Sequence, residues 1–257
     1  MFLLTREVRF AINDLPDDQL KSPPTNSFGG YPSLRGFGQQ FTLDVTIEGE
    51  LDPRSSYLRN IKDIDQVVRQ EMIGRVADAK KSERFELDLF PLLNERLRPA
   101  KVHAISLGLT PTLRVTQLAS EYPMTRLSQK FEFSAAHRLH NPELSDEENR
   151  KTYGKCNNPA WHGHNYEMQV TLKGDGTKMM LGLPQFEKVV KESVIEKLDH
   201  KNLNVEVAEF KNVIPTVENI AMVVYRMLKN RFDGVGADLA SVTVWETPKT
   251  WCEYLED

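Results

Sequence analysis

From His164 onward the chain alternates. Tyr166, Met168, Val170 and Leu172 fall on one side of an extended segment, and Asn165, Glu167, Gln169 and Thr171 on the other. Period two predicts a half-buried strand, and it puts His162 and His164 on the same face as the apolar set. Phe131, Phe133, Ala135 and His137 repeat the pattern in an earlier strand that ends on a histidine. The period then lengthens. Leu183, Phe186, Val190, Val194 and Leu198 predict a helix that has Pro184 in its first turn and stops just before Asp199. Ile220, Val223, Val224, Met227 and Leu228 form the apolar stripe of a second helix, with Thr216 as its N-cap and Asp233-Gly234-Val235-Gly236 beyond its end. Strands at Ser241 to Glu246 and Thr250 to Leu255 complete an order β-β-α-α-β-β.

The first half carries the same pattern. Phe37 to Gly49 aligns without a gap on His162 to Gly174, and both end in Val-Thr-(Leu/Ile)-x-Gly. Ile64 to Ile73 matches Phe186 to Ile195, Ile105 to Pro111 matches Val242 to Pro248, and Val8 to Ala11 matches Phe131 to Ser134. Four matches in order, at a spacing far above the ~20–50 residues of solenoid repeats, predict a duplicated domain. The expected boundaries are residues 1–118 and 127–257, with a linker around Thr116 to Arg126 that contains Pro123. Lys21 to Pro32 is rich in breakers and reads as a long loop. The first copy has Asp14 opposite His137, Phe37 and Gln39 opposite His162 and His164, Ala77 and Asp78 opposite Asp199 and His200, and Leu109 opposite Glu246. It is expected to bind no metal and to do no chemistry of this kind.

Composition narrows the function. The chain of 257 residues has a net charge of −4 and is 40% hydrophobic, which fits a soluble globular protein and leaves no basic excess for nucleic acid. No apolar run approaches the ~20 residues of a membrane span. Met1-Phe2-Leu3-Leu4 gives way at once to Arg6 and Glu7, too soon for a signal peptide. Two cysteines, Cys156 and Cys252, make no disulfide framework, so a reducing cytoplasm is expected.

Histidines carry the chemistry. If the two strands are antiparallel neighbours, His137 meets His162 and His164, and three neutral imidazoles with an open fourth position suit catalytic zinc. An H-x-H pair can also be two hydrogen-bonded loop histidines. Cys156, six residues before His162, is a candidate base whose thiol Lys155 and zinc would acidify; the other readings are a fourth ligand or an inert thiol. Asp199 beside His200 suits proton relay, or is a solvated loop. Glu246, among Val242, Thr243, Val244 and Trp245, is an acid in a strand that should be buried, and it needs donors.

Five motifs in order resemble the 6-pyruvoyltetrahydropterin synthase family over roughly residues 128–257. They are Leu144 to Asn149, Tyr153-Gly154-Lys155-Cys156-Asn157-Asn158-Pro159, His162-Gly163-His164-Asn165-Tyr166, Leu198-Asp199-His200-Lys201-Asn202-Leu203 and Trp245-Glu246-Thr247. The resemblance implies an α+β tunnelling fold, here as tandem domains. Each domain would be a four-stranded antiparallel sheet with two helices on one face, and the domains would assemble into barrels. It implies zinc on His137, His162 and His164, Cys156 as catalytic base with Asp199 and His200, and Glu246 accepting from the amino-pyrimidine edge of a pterin. Thr216 resembles a pterin-contacting turn, although Val217 stands where a small residue is usual. The implied reaction converts 7,8-dihydroneopterin triphosphate to 6-pyruvoyltetrahydropterin, with Arg138, Lys151 and Lys155 as candidates to hold the triphosphate. A related group makes 6-carboxytetrahydropterin for 7-deazaguanine biosynthesis; its C-x3-H-G-H spacing differs from the C-x5-H here. A third possibility is a non-catalytic pterin- or zinc-binding scaffold. Two domains per chain suggest a homotrimer whose active sites lie at domain interfaces.

Overall fold

The computed structural model describes residues 1–13, 29–80, 89–176 and 182–256. Asp14 and the Lys21 to Phe28 part of the expected loop lie outside the described residues. The chain forms two compact units, residues 1–128 together with a short segment that begins at Gly174, and residues 129–173 together with the rest of the chain. Both are α+β with antiparallel sheets, and among the described residues no helix is long and apolar enough to cross a membrane.

In the first unit, β1 (Phe2–Ile12), β2 (Gln39–Gly49), β3 (Lys101–Gly108) and β4 (Leu113–Leu118) lie in chain order, each antiparallel to the next. Alternate residues such as Val8, Phe10, Leu43, Val45 and Ile47 share one core with Ile64, Val68, Met72 and Leu93 from the helices. Those helices are α1 (Ile61–Val67), α2 (Ile73–Ala79) and α3 (Phe90–Arg96). Asn60 caps α1, and a π-helical turn at Val68–Met72 leads into α2. At the core's edge the Arg6 guanidinium meets the buried carboxylate of Asp65 through two bonds of 2.8 and 2.9 Å, the fork geometry that suits an enclosed ion pair.

In the second unit, β5 (Met124–His137) leads through α4 (Asp146–Tyr153) to β6 (His162–Asp175). Next come α5 (Leu183–Val190), a π-helical turn at Lys191–Ile195, and α6 (Glu196–Leu198), which ends just before Asp199 as the spacing predicts. A two-residue strand β7 (Lys201–Asn202) pairs parallel with β5, followed by α7 (Leu203–Glu206). Thr216 caps α8 (Val217–Leu228), accepting from the Asn219 amide, and β8 (Asp238–Thr247) and β9 (Thr250–Tyr254) close the unit. The strand order is β5-β6-β8-β9. Tyr166, Met168, Val170 and Leu172 are fully buried, as their alternation requires, against helix residues such as Phe186, Val190, Ile220 and Val224.

Helix α4 was not foreseen. Its signal is a capping box: the Ser145 hydroxyl accepts from the Glu148 amide while the Glu148 carboxylate accepts from the Ser145 amide. The coarse order β-β-α-α-β-β therefore lacks α4, β7 and α7.

Details recur between the units. β2 and β3 slip register between Thr46 and Ile47, and β6 and β8 slip between Thr171 and Leu172. The pair Ile105–Gln117 corresponds to Val242–Tyr254 in the next strand pairing. Phe10 stacks on Phe41 at 5.6 Å, and Phe133 stacks on Tyr166 at 5.0 Å. Where Arg6 reaches Asp65 in the first unit, Gln129 donates to Glu187 in the second.

Candidate metal centre and active site

The centre forms where β5 ends and β6 begins. Three backbone features set it. Asn158 makes a tight turn, accepting from the Ala160 amide through its side chain and from the Trp161 amide through its carbonyl. Trp161 then takes a positive φ of 65°, a conformation few large residues adopt, and redirects the chain into β6. Gly163 follows, where a Cβ would stand 3.3 Å from the Ala135 carbonyl oxygen, so the smallest residue lets β6 lie close against β5 between the two histidines.

His137, His162 and His164 come together as their spacing predicts, each offering a ring nitrogen within 4.8 Å of the others. His137 Nε2 and His162 Nε2 are 3.0 Å apart. His137 is fully buried, and its Nδ1 bonds the Pro215 carbonyl oxygen at 2.7 Å. In the neutral ring that bond makes Nδ1–H the donor and leaves the Nε2 lone pair for a cation. His162 Nδ1 and His164 Nε2 are buried with no hydrogen-bond partner. His137 Nε2 and His162 Nε2 face each other with at most one proton between them, and His164 Nε2 is buried with no partner; all three could turn a lone pair to one ion, so these residues fit a divalent metal.

Burial, more than the Pro215 bond opposes it, pushes His137 down to about 4. The neutral ring is thus favoured by folding, and its contribution is fully present above the unfolded value near 6.5 and lost as pH falls through about 4. The metal-stripped protein is expected to lose up to about 3 kcal/mol of stability across that window. Urea unfolding at a series of pH values checks this, and His137→Asn should flatten the curve.

Glu246 and Cys156 lie at the same centre. The Glu246 carboxylate Oε1 is 3.4 Å from His137 Nε2 and 3.7 Å from His164 Nε2. The Cys156 thiol is pushed up by burial and then by the Glu246 charge. This corrects the expectation that Lys155 acidifies it, because the protein's own groups act the other way. Tyr166 went unnoticed in the sequence except as an apolar strand position. Its buried hydroxyl lies 3.4 Å from both ring nitrogens of His137, and burial raises it well above the usual phenol. Thr216 follows Pro215, so its turn adjoins His137, and its hydroxyl serves as the helix cap.

Asp199 and His200 meet each other elsewhere. His200 Nδ1 is 2.8 Å from Asp199 Oδ2, and the Ser134 amide donates to Asp199 Oδ1. That amide bond first, and His200 second, hold the Asp199 carboxyl below its usual range. The His200 amide donates to the Ser134 carbonyl, whereas the next carbonyl, Ala135, faces Gly163 of β6. Successive strand carbonyls point to opposite sides, so β5 stands between β6 and the Asp–His pair. His200 has a side chain 83% exposed, which makes it available to something outside this unit.

Among the candidate cations, Arg138 and Lys155 line a cavity of about 490 Å³ together with Arg150 and Asp146; Lys151 is not part of that lining.

The family model for 6-pyruvoyl tetrahydropterin synthase matches residues 126–257, just over half the chain. The chain belongs to the 6-pyruvoyl tetrahydropterin synthase family. Among curated relatives, the human 6-pyruvoyl tetrahydrobiopterin synthase is 43% identical over 125 residues, 48% of this chain and 85% of that protein. A 6-carboxy-5,6,7,8-tetrahydropterin synthase from Haemophilus influenzae is 28% identical, over 52% of this chain and all of that protein. The solved Caenorhabditis elegans 6-pyruvoyl tetrahydropterin synthase aligns with a TM-score of 0.49 at 38% identity, covering 52% of this chain and 97% of that one. The 6-pyruvoyl tetrahydropterin synthase match contains all three histidines, Cys156 and Glu246, and residues 1–125 lie outside it.

Proposed function

We propose that the second unit is a zinc-dependent lyase that converts 7,8-dihydroneopterin triphosphate to 6-pyruvoyltetrahydropterin and releases triphosphate. One observation carries this reading: three histidine nitrogens within 4.8 Å, beside a cysteine and a carboxylate, inside the family match. When bound, zinc would act as a Lewis acid toward the side-chain oxygens of the substrate. The protein's own residues do the rest. His137, held by Pro215, fixes the frame. Glu246 accepts from the amino-pyrimidine edge, with the Thr216 turn beside it. Cys156 removes protons from the side chain next to the developing carbonyl. As the side chain loses hydrogens, the ring gains them, so no outside oxidant or reductant is needed. The C–O bond to triphosphate breaks, and the anion leaves past Arg138, Arg150 and Lys155. Arg150→Ala is expected to raise KM about tenfold with little change in kcat, as loss of one charge-assisted contact to phosphate implies.

The Asp199–His200 pair relays protons in this reading. With β5 between it and the metal centre of its own unit, it serves a site completed by another copy of the chain. This favours a homo-oligomer, proposed as a homotrimer; a monomer found by light scattering would contradict it. The first unit is proposed to be a diverged copy of the second, a reading supported by the shared register slips, stacked aromatic pair and edge contact. Leu109 and the fully exposed Phe37 stand where the second unit has Glu246 and His162, so the first unit serves as scaffold.

The C-x5-H spacing and the higher identity to the human relative favour the pyruvoyl product over the carboxy product. Purified protein incubated with the substrate should yield the pyruvoyl compound and triphosphate, and chelation should stop it. The carboxy product would overturn the choice of reaction, and no turnover with zinc present would leave the scaffold reading.

A further inference from the structure

A thiol that takes protons from a bound substrate has to be held still, and no long element holds Cys156. It sits in a short 3₁₀ turn, Gly154–Asn157. The segment bonded to that turn, Arg138 to His140, follows the last residue of β5 and has no regular structure. Irregular backbone in a partly buried place needs partners for its amides and carbonyls.

The two segments satisfy each other. The Leu139 amide donates to the Cys156 carbonyl at 2.9 Å, and Arg138 Nε donates to the Asn157 carbonyl at 2.9 Å. A side chain completes the junction. Asn157 is buried, which is unusual for its type, and its Nδ2 donates to the Leu139 carbonyl at 2.7 Å. The same nitrogen meets His140 Nδ1 at 3.1 Å, so both amide hydrogens have a partner. Leu139 thus has its amide and its carbonyl both tied to Cys156-Asn157, as in a pair of strands, with a side-chain amide replacing one backbone N–H.

The strand side of this junction is held independently. The Arg138 amide donates to Asn204 Oδ1 at 2.8 Å, and Asn204 Nδ2 donates to the Arg138 carbonyl at 3.0 Å. His137 keeps its own bond to Pro215. Loss of the Asn157 bonds therefore frees the Cys156 turn and leaves the histidines in place.

We infer that Asn157 is a positioning residue for the reaction, whose side-chain amide fixes the Cys156 turn against the exit of the strand that carries His137. The inference rests on Cys156 as the base proposed above. Asn157 also lines the cavity of Arg150 and Lys155, so a direct contact with the triphosphate is the rival role.

Asn157→Ala in the full-length zinc-loaded protein separates them, because it removes both donors and adds no charge to the cavity. A displacement of about 1 Å can cost about a hundredfold, so kcat should fall about tenfold to a hundredfold. KM should stay within about twofold, since substrate binding is not what the bond supplies. Zinc content should be unchanged. The double variant Cys156→Ala/Asn157→Ala should be no slower than Cys156→Ala alone, because a residue that acts through the thiol has nothing left to position. Iodoacetamide labelling read by peptide mass adds an internal control: Cys156 should react severalfold faster and Cys252, in β9, at the wild-type rate. Asn157→Ser has an arm too short to reach Leu139 and should give the same pattern if the alanine variant fails to fold. An unchanged kcat, a raised KM alone, a loss of zinc, faster labelling of both cysteines or a further loss in the double variant would each overturn the inference. Full activity in Cys156→Ala would instead remove the base on which it rests, a failure visible without any change at Asn157.

Discussion

His162→Ala is expected to lower zinc affinity by about three orders of magnitude and to abolish turnover while leaving the fold intact. Structural zinc sites bind with roughly 10–16 kcal/mol, so one ligand among three or four is worth about 4 kcal/mol, close to a thousandfold. His162 makes the clearest test of the three. Its side chain is only half-buried, and its Nδ1 has no partner to lose. His137→Ala would mix two effects, since it empties a fully buried position and strands the Pro215 carbonyl. Chelator competition gives the affinity, and circular dichroism with thermal unfolding separates ligand loss from unfolding. An unchanged zinc constant in the variant would remove His162 from the site.

Cys156→Ala should leave zinc bound and slow elimination by about 10²–10⁴, the usual contribution of a positioned acid–base group. The thiol is half-buried at the entry to β6 and feels the Glu246 carboxylate. Both influences favour the protonated thiol, so the proposed base would depend on the metal, the substrate or the Asp199–His200 pair of another copy to lose its proton. A fourth-ligand role makes a different forecast, because zinc would weaken along with activity. Measuring zinc content and single-turnover rates on the same preparation decides between them, and full activity in the variant would end the catalytic assignment.

Much of this was legible in the sequence because strands and helices advertise their period. The alternation from His164 to Leu172 fixed which face is buried and put His162 and His164 on it. The strand ending at His137 gave the third nitrogen, and Thr216 was legible as a cap because a hydroxyl directly before an apolar 3.6-residue stripe has few other uses. The unit boundary between Ser128 and Gln129 falls inside β5, where no breaker marks it.

What escaped depends on contacts between distant residues. The Tyr166 hydroxyl looks like one more apolar strand position until β5 brings His137 to it. The direction of the Cys156 shift follows from burial and from Glu246, which lies 90 residues further along the chain. The bulge that presents Glu246 follows from the register of β9. Asp199 and His200 are adjacent in sequence and paired in space, yet only the alternation of carbonyls along β5 reveals that this strand lies between them and β6. The Ser145–Glu148 capping box was in plain view and marks α4 by a local rule.

Zinc K-edge X-ray absorption on the purified full-length protein tests the metal centre most directly. The expected result is one zinc per chain with nitrogen or oxygen donors at about 2.0–2.1 Å, a multiple-scattering pattern that requires about three imidazoles, and no sulfur shell near 2.3 Å. A sulfur donor would make Cys156 a ligand and not a base. A zinc without imidazole scattering, or none bound at all, would contradict the account of this site.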